Sequence, residues 1–130
     1  MMDIFVVENN TLLVARPTGI LDAEMAESIV DFIEIKEAHI ETGFNRFCDL
    51  TRLDGIHLSL VEVLKLAVRR RAFNPNDFHV KSAFLAADAL GFGIASMYEQ
   101  LLNSPRIEVR VWSDLQSAAN WLGVKADILI

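Results

Sequence analysis

The amino-acid sequence predicts a single α/β domain over residues 1–130, a mainly parallel sheet preceded by an N-terminal antiparallel hairpin, and three observations carry that prediction. Apolar runs of strand length alternate with stretches of helical periodicity from residue 44 onward. Helix-start signals stand at Asp22, Ser59 and Ser113-Asp114, and stop signals at Gly43, Ser104-Pro105 and Gly123. The first two apolar runs, by contrast, are separated by only four residues, too few for a crossover helix.

Ile4 to Val7 and Leu12 to Ala15 form the predicted hairpin around Glu8-Asn9-Asn10-Thr11, because asparagine tolerates the positive φ of tight turns. Pro17 and Gly19 interrupt the pattern. Asp22 then caps a helix whose Met25, Ile29, Phe32, Ile33 and Ile40 recur at helical spacing as far as Gly43. Phe44 to Leu50 reads as a strand and Thr51-Arg52-Leu53-Asp54-Gly55 as a loop. Ser59-Leu60-Val61-Glu62 fits a capping box, opening a helix with Leu60, Val63, Leu64 and Ala67 as its buried stripe. Arg69-Arg70-Arg71 reads as its solvated end, where cations complement the helix dipole. A turn at Asn74-Pro75-Asn76-Asp77 leads into a strand from Lys81 to Ala87. Ile94, Met97, Tyr98 and Leu101 mark a third helix, Ile107 to Trp112 another strand, and Leu115, Ala118, Ala119 and Leu122 a fourth helix opened by a box at Ser113-Asp114-Leu115-Gln116. The order β-β-α-β-α-β-α-β-α calls for right-handed crossovers and a mainly parallel sheet. The apolar end, Asp127-Ile128-Leu129-Ile130, is expected to dock on its own domain or on a second copy as a homodimer.

Composition narrows function by exclusion. A net charge of −6 and a pI near 4.9 do not suit a phosphate-backbone binder, so no nucleic-acid partner is expected. Mean hydropathy is +0.31, yet the longest stretches without charge, Ala89 to Tyr98 and Leu115 to Val124, are ten residues each, so no transmembrane segment is expected. No basic residue precedes Arg16, which argues against a targeting segment and for the cytoplasm. Cys48 is the one cysteine, and it stands with His39, His57 and His79 at none of the short spacings of zinc motifs, so no metal is expected. Nor is any other cofactor: Gly91-Phe92-Gly93 lacks the third glycine of a dinucleotide fingerprint, and its glycines read as close helix–sheet packing.

Ligands of open α/β sheets meet the loops at the carboxyl ends of parallel strands. Here those loops carry Asp49, Thr51, Asp54, His57 and Ser59, then Asp88 with Gly91 and Gly93, then Ser113 with Asp114. Ser59 with His57 as base would be a nucleophile, but no Gly-x-Ser-x-Gly elbow surrounds it and a helix cap accounts for it. Asp49 and Asp54 read as turn formers, Cys48, Tyr98, Trp112 and Trp121 as core. The charge is less evenly spread. Seven carboxylates and one lysine lie between Asp22 and Glu41, so the whole net excess falls on the first helix. Glu24, Glu27, Asp31 and Glu34 share one side of it, an acidic face suited to a protein partner with a basic surface.

With this element order, the stretch Asp49-Leu50-Thr51 ahead of Gly55 and a helix from Ser59 resembles the STAS superfamily of sulfate-transporter and anti-sigma-factor-antagonist domains. Ala87-Asp88-Ala89-Leu90-Gly91-Phe92-Gly93, Met97-Tyr98-Glu99, Val109-Arg110-Val111-Trp112 and Ala118-Ala119-Asn120-Trp121-Leu122-Gly123 are similar more closely to small bacterial SpoIIAA-like proteins. The resemblance implies a non-enzymatic interaction or regulatory module. In the antagonists a serine at the start of the second helix is phosphorylated to switch partner binding; that position falls on Leu58 here, with Ser59 beside it. The implied regulatory or partner site is therefore Asp49, Thr51, His57, Leu58, Ser59, Asp88 and Gly91. The same group resembles the lipid-carrying Sec14 domains in part, which implies as an alternative a binder of a small hydrophobic or lipid-like ligand, in an apolar cavity beneath the first and second helices.

Overall fold

A computed structural model describes residues 2–9, 11–73, 75 and 77–130. Strands β1 (Met2–Val7) and β2 (Leu12–Pro17) pair antiparallel, and Glu8 and Asn9 between them take φ of +56° and +53°. Asn10, like Asn74 and Asn76 of the predicted later turn, lies outside the described residues. Strands β4 (Asn45–Asp49), β6 (Val80–Leu85) and β7 (Ile107–Trp112) then add in parallel, giving a five-stranded sheet of order β1-β2-β4-β6-β7. The mainly parallel α/β sheet with its opening hairpin is thus the observed fold class.

Two short strands were not anticipated. Gly19–Asp22 (β3) pairs in parallel with Leu53–His57 (β5) as a separate two-stranded sheet, where the sequence suggested a break and a loop. Each run is too short to show a period alone, and its partner lies more than thirty residues away.

Four helices cover the sheet: α1 (Ala23–His39), α2 (Leu60–Ala72), α3 (Ala89–Leu102) and α4 (Leu115–Leu122). Asp22, Ser59 and Asp88 cap the first three, each accepting from the backbone N–H three residues on. The cap of α4 is Asp114, not Ser113, with its carboxylate 2.8 Å from Ser117 N. Helix α1 stops at His39 rather than reaching Gly43. A side chain on Gly43 would come within 2.9 Å of Phe78 Cβ, so that glycine serves a close approach instead of a helix stop.

Strand alternation sorts the sheet residues into two layers. Leu12, Val14, Phe47, Ala83 and Leu85 face α4 and a terminal 3-10 turn, Ala126–Leu129, whose Leu129 is buried among them. Leu129 of the apolar end thus docks on its own chain, while Ile130 stays 66% exposed. Leu13, Ala15, Arg46, Cys48, Ser82 and Phe84 face the other way, toward α1, α2 and α3.

Candidate functional site

Helix α2 turns inward only half of the stripe its sequence suggests. Val63, Ala67 and Arg70 are buried, whereas Leu60 and Leu64 are 57% and 41% exposed. The helix has two apolar rows, and the inward one ends in an arginine. Arg70 is only 2% exposed, so Arg69-Arg70-Arg71 is not a solvated helix end.

Each of the three arginines is spent inside the chain. Arg69 reaches back to α1, with Nη2 2.6 Å from Asp31 Oδ1 and 2.8 Å from Glu34 Oε1. Arg70 donates through Nη1 to Glu34 at 3.1 Å and Glu37 at 2.7 Å, and through Nη2 to Glu37 at 2.7 Å. Arg71 donates to the carbonyls of Leu101 and Leu102, satisfying the end of α3. A fourth cation, Arg46 on β4, joins from the sheet side. Its Nη1 lies 3.0 Å from Glu37 Oε2, its Nη2 3.1 Å from the Phe44 carbonyl, and its guanidinium sits 4.7 Å over the Phe44 ring.

Burial alone would raise the Glu37 carboxyl, but hydrogen bonds and charge from Arg70 and Arg46 outweigh it and hold it below its ordinary value. Burial draws Arg46 down to about 10 despite Glu37, which leaves it charged at neutral pH. For Arg70 the same burial is overcome by the Glu37 hydrogen bonds, so its value is raised. Burial also pushes up the Tyr98 phenol, against the lowering effect of Arg70 and Arg46, and pushes the Cys48 thiol up to about 12. A thiol so raised is a poor nucleophile at neutral pH.

Arg46 and Arg70 of this cluster line a cavity of about 110 Å³ between the sheet and α1–α3. Its wall includes Leu13, Ala15 and Cys48 from the sheet, Ile29 and Ile33 from α1, Val63 and Leu66 from α2, and Ile94, Ala95 and Tyr98 from α3. It runs along β4, from Arg46 at the amino end of that strand to Leu50 just beyond the carboxyl end, where Leu58 also lines it. The wall is apolar apart from Arg46, Arg70, Ser82, Tyr98 and the Cys48 thiol.

The residues singled out in the sequence lie mostly at the carboxyl end. Asp49 is buried, and its Oδ1 accepts from Thr51 N at 2.9 Å and Thr51 Oγ1 at 2.5 Å, a turn-forming arrangement that leaves Thr51 exposed. His57 is exposed at the end of β5. Ser59 Oγ accepts from Glu62 N at 3.1 Å while Glu62 returns the bond to Ser59 N at 2.9 Å, the capping box the spacing predicts. Asp88 accepts from Gly91 N at 2.8 Å, and a Cβ on buried Gly91 would stand 3.4 Å from Ala86 Cβ, in keeping with close helix–sheet packing. Of this set, Leu58 alone reaches the cavity wall. On the acidic side, Glu24 and Glu27 are exposed, while Asp31 and Glu34 are joined to Arg69. No group of three or more His, Cys, Asp or Glu among the described residues is placed to hold a metal.

No family model matches the chain, and no curated protein does. Among solved structures it is similar to an uncharacterised protein of the DUF3478 family with a SpoIIAA-like fold from Shewanella loihica PV-4, at 21% identity and a TM-score of 0.60, over 94% of this chain and 92% of that one. This chain has a SpoIIAA-like fold. The likeness read from the short motifs and the one found from the backbone name the same architecture. No helix of this SpoIIAA-like domain, among the described residues, is long and apolar enough to cross a membrane.

Arg46, Glu37 and Arg70 are the residues sequence reasoning missed at this site. A lone arginine within the strand-like run Phe44 to Leu50 was the available signal, since a charge inside a buried strand requires a partner.

Proposed function

We propose that this SpoIIAA-like chain is a non-catalytic binding module for a small, mainly apolar ligand held between the sheet and α1–α3. The cavity of about 110 Å³ is the observation that carries this reading. Protein interiors are close-packed, with few voids larger than a water molecule, and a void lined by aliphatic side chains costs stability unless something fills it. An engineered apolar cavity of about 150 Å³ takes benzene, so this one suits a ring or short chain of about that size rather than a whole lipid. Native mass spectrometry of the purified protein and a benzene titration followed by amide chemical shifts test the reading. Co-purified small molecules, or saturable shifts at Leu58, Ala95 and Cys48, are expected. Neither appearing would sink it.

A second reading, a regulatory module for a protein partner in the cytoplasm, draws on a different observation. Leu60, Leu64 and Val68 form an exposed apolar row down α2 that starts beside Ser59, with exposures of 57%, 41% and 52%. Glu24 and Glu27 add an exposed acidic patch for a basic surface. A phosphate on Ser59 would sit at the α2 N-terminus, favoured by the dipole but opposed by Glu62, which already occupies the cap. Identical partners and affinities for wild type and Ser59→Asp would remove Ser59 from the mechanism. Light scattering at a constant mass near 14.6 kDa would remove a homodimer built on the α2 row.

A further inference from the structure

The polar end of the cavity says more about its occupant than the volume does. Among the described residues, the Arg46 Nε–H is a buried donor with no acceptor, although both terminal nitrogens of the same guanidinium are bonded. The Arg46 side chain is 7% exposed and lines the cavity. A buried donor of a charged group left unmatched is costly, and most such donors in proteins find a partner. The surrounding charges, meanwhile, are already balanced. Asp31, Glu34 and Glu37 face Arg46, Arg69 and Arg70, three carboxylates against three guanidinium groups. An anionic ligand would bring an uncompensated charge into this interior, whereas a neutral oxygen would meet the free N–H without disturbing the balance.

We infer that the cavity selects an electrically neutral, ring-sized molecule bearing one hydrogen-bond-accepting oxygen, a ketone or a similar carbonyl compound, whose oxygen accepts from Arg46 Nε–H. The inference rests on the ligand-binding reading and deepens it. The apolar walls from Leu13, Ile29, Leu58 and Ala95 hold the ring, and the arginine at the amino end of β4 sets its direction. Arg46 acts through a hydrogen bond and not through net charge, because Glu37 and Glu34 between them already take up the charge of Arg46 and Arg70.

Three probes of similar size distinguish the outcomes: toluene, cyclohexanone and benzoate, titrated into wild type and Arg46→Met with NMR detection. Glu37 keeps its two bonds from Arg70 in the variant. Cyclohexanone is expected to shift the Arg46 Nε–H resonance of the wild type and to lose about tenfold in affinity in Arg46→Met, while toluene binds both proteins alike. If Arg46→Met does not fold, the wild-type resonance decides. Toluene binding with an unmoved Nε–H resonance in the presence of saturating cyclohexanone would overturn the inference and leave the cavity reading standing. Benzoate binding more tightly than cyclohexanone would overturn the neutral-ligand choice. Failure of all three to bind would overturn the cavity reading, and this inference with it.

Discussion

The two faces of one sheet are built on different principles. Against α4 and the terminal turn, Leu12, Val14, Phe47 and Ala83 meet Ala118, Ala119 and Leu129, every one of them at most 1% exposed, while Arg16 and Lys81 on this face stack on the rings of Phe5 and Trp121 at its margin. Against α1, α2 and α3, the same strands meet a cavity and a network of buried arginines and carboxylates. Small alanines let α4 sit close on its face. The longer side chains of the other three helices, and the space between them, leave room for an occupant. One face is filled by side chains; the other carries a cavity beside matched charges.

The largest break in this contrast is expected from Glu37→Ala. It leaves Arg46 and Arg70 buried without their shared carboxylate and should cost about 3–5 kcal/mol in urea unfolding. The pH dependence gives its sign independently. Because the folded value of Glu37 lies below its ordinary 4.5, its stabilisation is present above that value and is lost as pH falls through the folded one. Unfolding midpoints measured downward from pH 6 should therefore decline more steeply for wild type than for Glu37→Gln.

Added volume should sort the two faces next. Ala119→Val enlarges a residue at 0% exposure in the tight layer and should cost about 1–3 kcal/mol by overpacking. Ala95→Val projects into the cavity and should change thermal stability by less than about 1 kcal/mol while weakening any benzene binding. Equal losses at both positions would mean that the faces do not differ in packing. The smallest effect is expected at the rim of the network. Asp31 is 60% exposed, so Asp31→Asn should cost under about 1 kcal/mol, and less still in high salt.

Much of this was readable along the chain. The caps at Asp22 and Ser59 are bonds across three residues, and the strand at Ile107–Trp112 is bounded by its own apolar run, so local sequence contains the whole signal. The turn role of Asp49 is equally local. The Glu37–Arg70 contact spans 33 residues and follows from how α1 and α2 lie on the sheet. Nothing in Arg69-Arg70-Arg71 distinguishes the middle residue until that placement is made. The acidic first helix and the arginine end of the second were each visible as charge concentrations, yet their pairing was not.

By itself, then, the sequence determined the alternation of elements, the hairpin, the main helix starts and the short motifs of a SpoIIAA-like fold, because periodicity and capping act over a few residues. Tertiary structure alone decided that β3 pairs with β5, which apolar row of α2 turns inward, that Arg46 and Arg70 share Glu37, and that a cavity remains beside them. Those outcomes depend on how elements far apart in the chain are set against one another, and on whether their side chains together fill the space between.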